Sequence, residues 1–106
     1  MSPGKTAAQV GHAVQYLCEM IASPVFESYK SVIFDAWNNS WHRKVVLKAD
    51  EKEWEKLKAD VLLSDRVIVV DQGLTELNPN TETVMGFLPM LKSNCPKLIK
   101  RLQVLK

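Results

Sequence analysis

Two short stretches carry residues whose types and spacing suit chemistry. The first is GKTAAQVGHA, residues 4–13, in which Lys5, Gln9 and His12 stand at i, i+4 and i+7. At the angular step of an α-helix these three fall within roughly 60° of one another. A cation, an amide and an imidazole would then share one helix face. Lys5 in a first helical turn is mildly unfavourable against the helix dipole, which points toward an anionic partner. The competing reading is an ordinary solvated helix face. The second stretch is VIVVDQGLTELNPNTETV, residues 67–84. Asp71 stands at the end of its apolar run, Thr75 in the loop beyond and Thr83 at the start of the next strand. Carboxylates at strand ends are where α/β folds hold ligands, and a carboxylate can orient or deprotonate water. Hydroxyls can donate to a substrate carbonyl. The competing reading here is a turn, since Asp71, Gly73, Asn78, Pro79 and Asn80 are all turn formers.

Elements must hold these residues in place. Pro3 suits the first turn of a helix, and Ser23-Pro24 breaks one, so the first helix is expected from Pro3 to about Ala22. Its apolar stripe is Val10, Val14, Leu17, Cys18 and Ile21, apart from the Lys5/Gln9/His12 face. The small residues Ala7, Ala8, Gly11 and Ala13 allow close approach by another backbone or a ligand. Residues 25–37 read as a second helix, and Val45 to Leu47 as a short buried strand. Asp50 with Glu53 is the pairing of a capping box, opening a third helix through Trp54, Leu57, Val61 and Leu62. Val67 to Val70 is a β-branched, internal strand, and Thr83 to Leu88 a third. A turn and helix over Asn94 to Leu102 precede the tail. Helices alternating with strands predict a layered α/β sandwich.

With 106 residues the chain has room for one domain, 1–106, and its 46% apolar and 25% charged composition is that of a globular protein. A net charge of +2 is too mild to announce a nucleic-acid binder, although a local basic face is compatible with it. Arg43 and Lys44, beside the short strand, either meet phosphate or solvate a sheet edge. Trp37, Trp41 and Trp54 read as core or interface packing. Cys18 and Cys95 form no metal-spaced pair, so no zinc site is expected. The polar start does not read as a secretory leader, and no run reaches the length of a membrane span. A reducing cytoplasmic setting is expected.

Both chemical stretches resemble the signature segments of the peptidyl-tRNA hydrolase 2 family. That family opens its first helix with Gly-Lys-x-Ala-Ala-Gln-x-x-His-Ala, matched by Gly4, Lys5, Ala7, Ala8, Gln9, His12 and Ala13. Its Lys-Val-Val-x-Lys strand is matched by Lys44, Val45, Val46 and Lys48. Its Asp-Ala-Gly-x-Thr-Gln segment, with a proline turn and a following threonine, is matched by Asp71, Gly73, Thr75, Pro79 and Thr83. Gln72 and Glu76 depart from it, and only Met1 to Pro3 stand where the family has a first strand, so that strand is expected to be absent. The resemblance implies a three-layer sandwich with a small mixed β-sheet between helices, often a homodimer. It implies hydrolysis of the ester between a peptide and the terminal ribose of its tRNA in the cytoplasm, with tRNA as partner, no membrane, and no metal or organic cofactor. Lys5, Asp71, Thr75 and Thr83 would be catalytic, and Gln9 and His12 would form a supporting rim that binds substrate; the basic side chains of Arg43 and Lys44 are the candidates to bind the RNA around that rim. Two other readings compete: a non-catalytic binding or regulatory member of the same fold, and an unrelated α/β domain with a small-molecule site.

Overall fold

The computed structural model describes residues 1–23, 28–60, 65–73 and 80–106. Val25, Val61, Leu62, Thr75, Glu76, Asn78 and Pro79, on which several expectations fall, lie outside the described residues. The chain is of the α/β class, and it divides into two compact units.

The first unit joins Met1–Glu27 to Asp65–Leu88. Helix α1 runs Pro3–Ala22, the span expected. Its start is fixed by Ser2, whose hydroxyl accepts from the Lys5 N–H at 3.2 Å, and by Pro3, which has no N–H to satisfy. It ends where Ser23 turns to extended backbone ahead of Pro24. Strands β1 (Arg66–Val70) and β2 (Glu82–Phe87) pair antiparallel from Arg66↔Phe87 to Val69↔Val84. The register then shifts, so that Val70 faces Glu82 and Thr83 is the extra residue of a bulge. The link between the strands is closed by two backbone bonds, Asp71 N–H to the Thr81 carbonyl at 2.8 Å and Asn80 N–H to the Asp71 carbonyl at 2.7 Å. An antiparallel pair needs no long crossover, which a link of this length suits.

Helix α1 lies against this ladder, but not on the stripe its large apolar residues suggest. The buried positions are Gln9 and Ala13, with Leu17 half-buried one turn on; Val10 and Val14 are half-buried and Cys18 is exposed. The cause is Gly86 in mid-strand. A Cβ there would sit 3.1 Å from Leu17 Cδ1, 3.1 Å from Val67 Cγ2 and 3.2 Å from Ala13 Cβ. A bare backbone meets a methyl, and this close approach selects the Gln9–Ala13–Leu17 line. Lys5 falls at i−4 on the same line, so Lys5 and Gln9 continue the packing face instead of standing apart from it, while His12 is exposed. Gly86→Val is therefore expected to destabilise the fold by roughly 1–3 kcal/mol through overpacking, read as a lower urea midpoint. A midpoint equal to wild type would mean that α1 does not rest on Gly86.

The second unit joins Ser28–Ser64 to Pro89–Lys106. It holds α2 (Ser28–Asn38), β3 (Leu47–Lys48), α3 (Glu51–Ala59), a 3₁₀ turn at Lys92–Asn94, α4 (Lys97–Lys100) and β4 (Gln103–Val104). The capping box of α3 is formed as expected, with Asp50 accepting from Glu53 N–H and Glu53 from Asp50 N–H, both at 2.8 Å. Leu57 is the buried residue of that helix. β3 and β4 pair antiparallel, Leu47↔Val104 and Lys48↔Gln103. Val45 and Val46, expected in a buried strand, precede β3 and are exposed. The ladder stops where its partner stops, and only Leu105 N–H reaches back, to the Val46 carbonyl at 3.0 Å. No parallel pairing occurs among the described residues. Among them, too, no helix is long and apolar enough to cross a membrane.

Candidate active site

The chemistry of the first unit gathers where the start of α1 meets the far end of β1. Lys5 and Asp71 form an ion pair through Lys5 Nζ and Asp71 Oδ1. The Asp71 side chain is only 2% exposed and that of Lys5 14%. The other carboxylate oxygen, Oδ2, accepts from the Gly73 N–H at 2.9 Å. This is an aspartate turn bonding its own backbone two residues on. Gly73 sits at φ 78°, a conformation that glycine enters without steric cost. Asn80 closes the same loop at φ 65°, which asparagine tolerates better than most residues. A buried carboxylate is costly unless paired and hydrogen-bonded, and here each oxygen has a donor. The ammonium is the more open partner, so an incoming anion or carbonyl meets Lys5 before Asp71.

A second chain of bonds runs beside the pair. Gln9 Nε2 donates to Thr83 Oγ1 at 3.0 Å, and Thr83 Oγ1 donates to the Val69 carbonyl at 3.0 Å. Gln9 is 3% exposed. The bulge is what aims Thr83 this way, since an extra residue re-directs a side chain relative to the regular pleat. The hydroxyl proton is committed to Val69, which leaves Thr83 one lone pair as an acceptor. Thr83 thus positions a donor such as water more readily than it donates to a carbonyl. Gln9, expected on a rim, is instead an internal strut that ties α1 to the bulge.

The remaining candidates are placed differently. His12 is exposed, and its ring stacks on Tyr16 with centroids 6.3 Å apart; among the described residues its ring makes no hydrogen bond or ion pair with Lys5, Gln9, Asp71 or Thr83. Thr75 lies outside the described residues. Arg43 and Lys44 belong to the second unit, between α2 and β3, and both are exposed. Lys44 Nζ donates to the His42 carbonyl at 3.1 Å and stands 5.1 Å from the centre of the Trp37 ring. Sequence reasoning missed two parts of the site, the Gly73 N–H on Asp71 and the Val69 carbonyl on Thr83. Gly73 was visible as a turn former two residues past an aspartate. Nothing in the sequence marks a carbonyl. Among the described residues, no group of three or more His, Cys, Asp or Glu side chains could hold a metal ion.

A buried carboxylate, a part-exposed ammonium and a fixed hydroxyl can do ester chemistry. A carboxylate so placed can take or direct a proton from water, and an ammonium can steady a developing oxyanion or grip phosphate.

Comparison with known proteins agrees with this chemistry. The profile of a family described as Peptidyl-tRNA hydrolase PTH2 matches residues 1–105. The peptidyl-tRNA hydrolase of Thermoplasma volcanium is 36% identical over 92 residues, which covers 84% of this chain and 74% of that protein. That of Methanopyrus kandleri is 32% identical over 110 aligned positions, covering 100% of this chain and 89% of the relative. Peptidyl-tRNA hydrolase 2 of Saccharomyces cerevisiae is 32% identical over 97 residues, covering 88% of this chain and 47% of that protein.

Proposed function

The chain belongs to the peptidyl-tRNA hydrolase PTH2 family, and from that premise we propose that the Lys5–Asp71 centre carries out its reaction. It is an ester hydrolase that acts on peptidyl-tRNA, releasing free tRNA and peptide. The single observation that carries the site assignment is the buried Lys5–Asp71 pair, which joins two family motifs 66 residues apart.

The chemistry follows from the groups. Asp71 takes or directs the proton of a water held near the Thr83 lone pair. The water oxygen adds to the ester carbonyl, and Lys5 steadies the oxyanion. The bond to the ribose oxygen then breaks, and that oxygen takes the proton that Asp71 drew from the water. Gln9 supports the centre by holding α1 on the Thr83 bulge. Thr75 joins the catalytic group, and His12 and Lys44 contact the tRNA, roles that the motif match supports; Arg43, exposed beside Lys44, contacts it through its charge. The same resemblance supports one domain spanning 1–106, a homodimer and a cytoplasmic setting. A non-catalytic member of the fold is not favoured, because the lysine, aspartate and threonine of the motifs stand together in the first unit.

The test is turnover of an N-blocked aminoacyl-tRNA by the purified chain. Release of the blocked amino acid with multiple turnovers is expected. Binding of the tRNA with its ester left intact would transfer the chain to the non-catalytic reading.

A further inference from the structure

The turn that follows α2 carries a residue the proposed mechanism does not use. Trp41, expected in a core or an interface, is 95% exposed. A single exposed apolar side chain needs no explanation. This one also has φ 77°, and the next residue, His42, has φ 55°. Left-handed backbone is uncommon outside glycine and is a steric outlier for a bulky residue. Strain of this kind persists only where the surroundings over-determine it, and it clusters at functional sites.

Trp37 supplies the over-determination. Its carbonyl accepts from the Ser40 N–H at 3.1 Å and the Ser40 hydroxyl at 3.0 Å. Its indole N–H donates to the Arg43 carbonyl. The His42 ring meets the Trp37 ring edge-on at 5.5 Å, and Lys44 caps it at 5.1 Å. One tryptophan is consumed in fixing the turn, and the other is held out in water. From Ala36 to Ala49 the chain has Arg43, Lys44 and Lys48 and no acidic residue. Among the described residues the Arg43 guanidinium makes no hydrogen bond or ion pair.

An exposed ring on a bonded turn, with cations and no acidic residue in the same stretch, is the chemistry that takes an unpaired base with its phosphate. We propose that Trp41 is a stacking platform for a single-stranded nucleotide of the RNA substrate, with Arg43 on the adjoining phosphate. This rests on the tRNA reading above and adds to it the part of the chain that grips unpaired bases. A protein partner would favour a larger apolar patch without the cations.

The experiment titrates a short single-stranded oligoribonucleotide, and separately deacylated tRNA, into the full chain and its variants. Affinity is read in every protein from the anisotropy of a fluorophore on the RNA, and the intrinsic fluorescence that Trp41→Phe removes reports on Trp41 itself. Quenching on binding is expected in the wild type. Trp41→Ala weakens oligonucleotide binding about tenfold, the scale of one base–aromatic stack, while Trp41→Phe keeps most of the affinity. Arg43→Ala lowers the salt slope of binding by about one. Trp41→Gly loses the affinity of Trp41→Ala yet raises the unfolding midpoint by a few degrees, because glycine relieves the backbone. That opposition of function and stability is not expected of a merely structural residue. Unchanged affinity in Trp41→Ala or Trp41→Gly overturns the proposal. So does a Trp41 that acrylamide cannot reach in the free protein, which would mean that another protein surface covers it. A chain with this RNA affinity but no turnover would sink the hydrolase assignment alone. Full turnover with Trp41-independent affinity would sink the platform alone.

Discussion

Asp71→Asn is expected to lower turnover of N-blocked aminoacyl-tRNA by roughly 10²-fold or more, the usual scale for losing a general base. The substitution keeps the size and polarity of the side chain and removes its charge. The amide oxygen can still accept from the Gly73 N–H, which Asp71 Oδ2 now meets at 2.9 Å, so the turn that begins the loop is retained. Neither the Asp71 N–H bond to Thr81 nor the Asn80 bond to the Asp71 carbonyl depends on the side chain. What goes is the capacity to take a proton from water, and threonine cannot supply it unaided at neutral pH. Affinity for deacylated tRNA should change little, because Asp71 is only 2% exposed and reaches no phosphate directly. Turnover near the wild-type value would remove the aspartate from the mechanism and leave it the lesser task of holding Lys5.

Lys5→Met should injure the protein in two ways. It takes the ammonium away from a carboxylate that is 2% exposed. Breaking a buried pair from one side costs roughly 3–5 kcal/mol, and the 14% exposure of Lys5 places this case at the lower end. Domains of this size hold about 5–15 kcal/mol in all, so the unfolding midpoint should fall far enough to see at once. Lys5→Met with Asp71→Asn together removes the buried charge as well, and most of the stability should return. Turnover should not return, since neither the ammonium nor the carboxylate is restored. If the ammonium meets phosphate as well as the oxyanion, tRNA affinity falls in both Lys5→Met proteins and not in Asp71→Asn. A double variant as unstable as Lys5→Met alone would show that the loss has another source, such as the methionine's packing.

The contrast between these variants depends on a placement that no single stretch of sequence contains. Sequence by itself determined the local devices and the family. The bounds of α1 follow from Pro3 and from Ser23-Pro24, because proline acts on its own and the preceding residue wherever it stands. The capping box at Asp50 and Glu53 formed because its bonds span only three residues. The β-branched run at Val67 to Val70 became a strand, and the two motifs that hold Lys5 and Asp71 were legible as a family signature. Tertiary structure decided which side of α1 is buried. Large apolar residues pointed to Val10 and Val14, but Gly86 on a strand distant in sequence admits only the Ala13 line, and that line carries Gln9 inward with it. It decided that Thr83 sits on a bulge, since register exists only between two strands. It decided that Trp37 anchors a turn while Trp41 stands in water, two identical residues four apart with opposite fates. Burial is a property of what another segment brings to a surface, and residue type alone does not specify that segment.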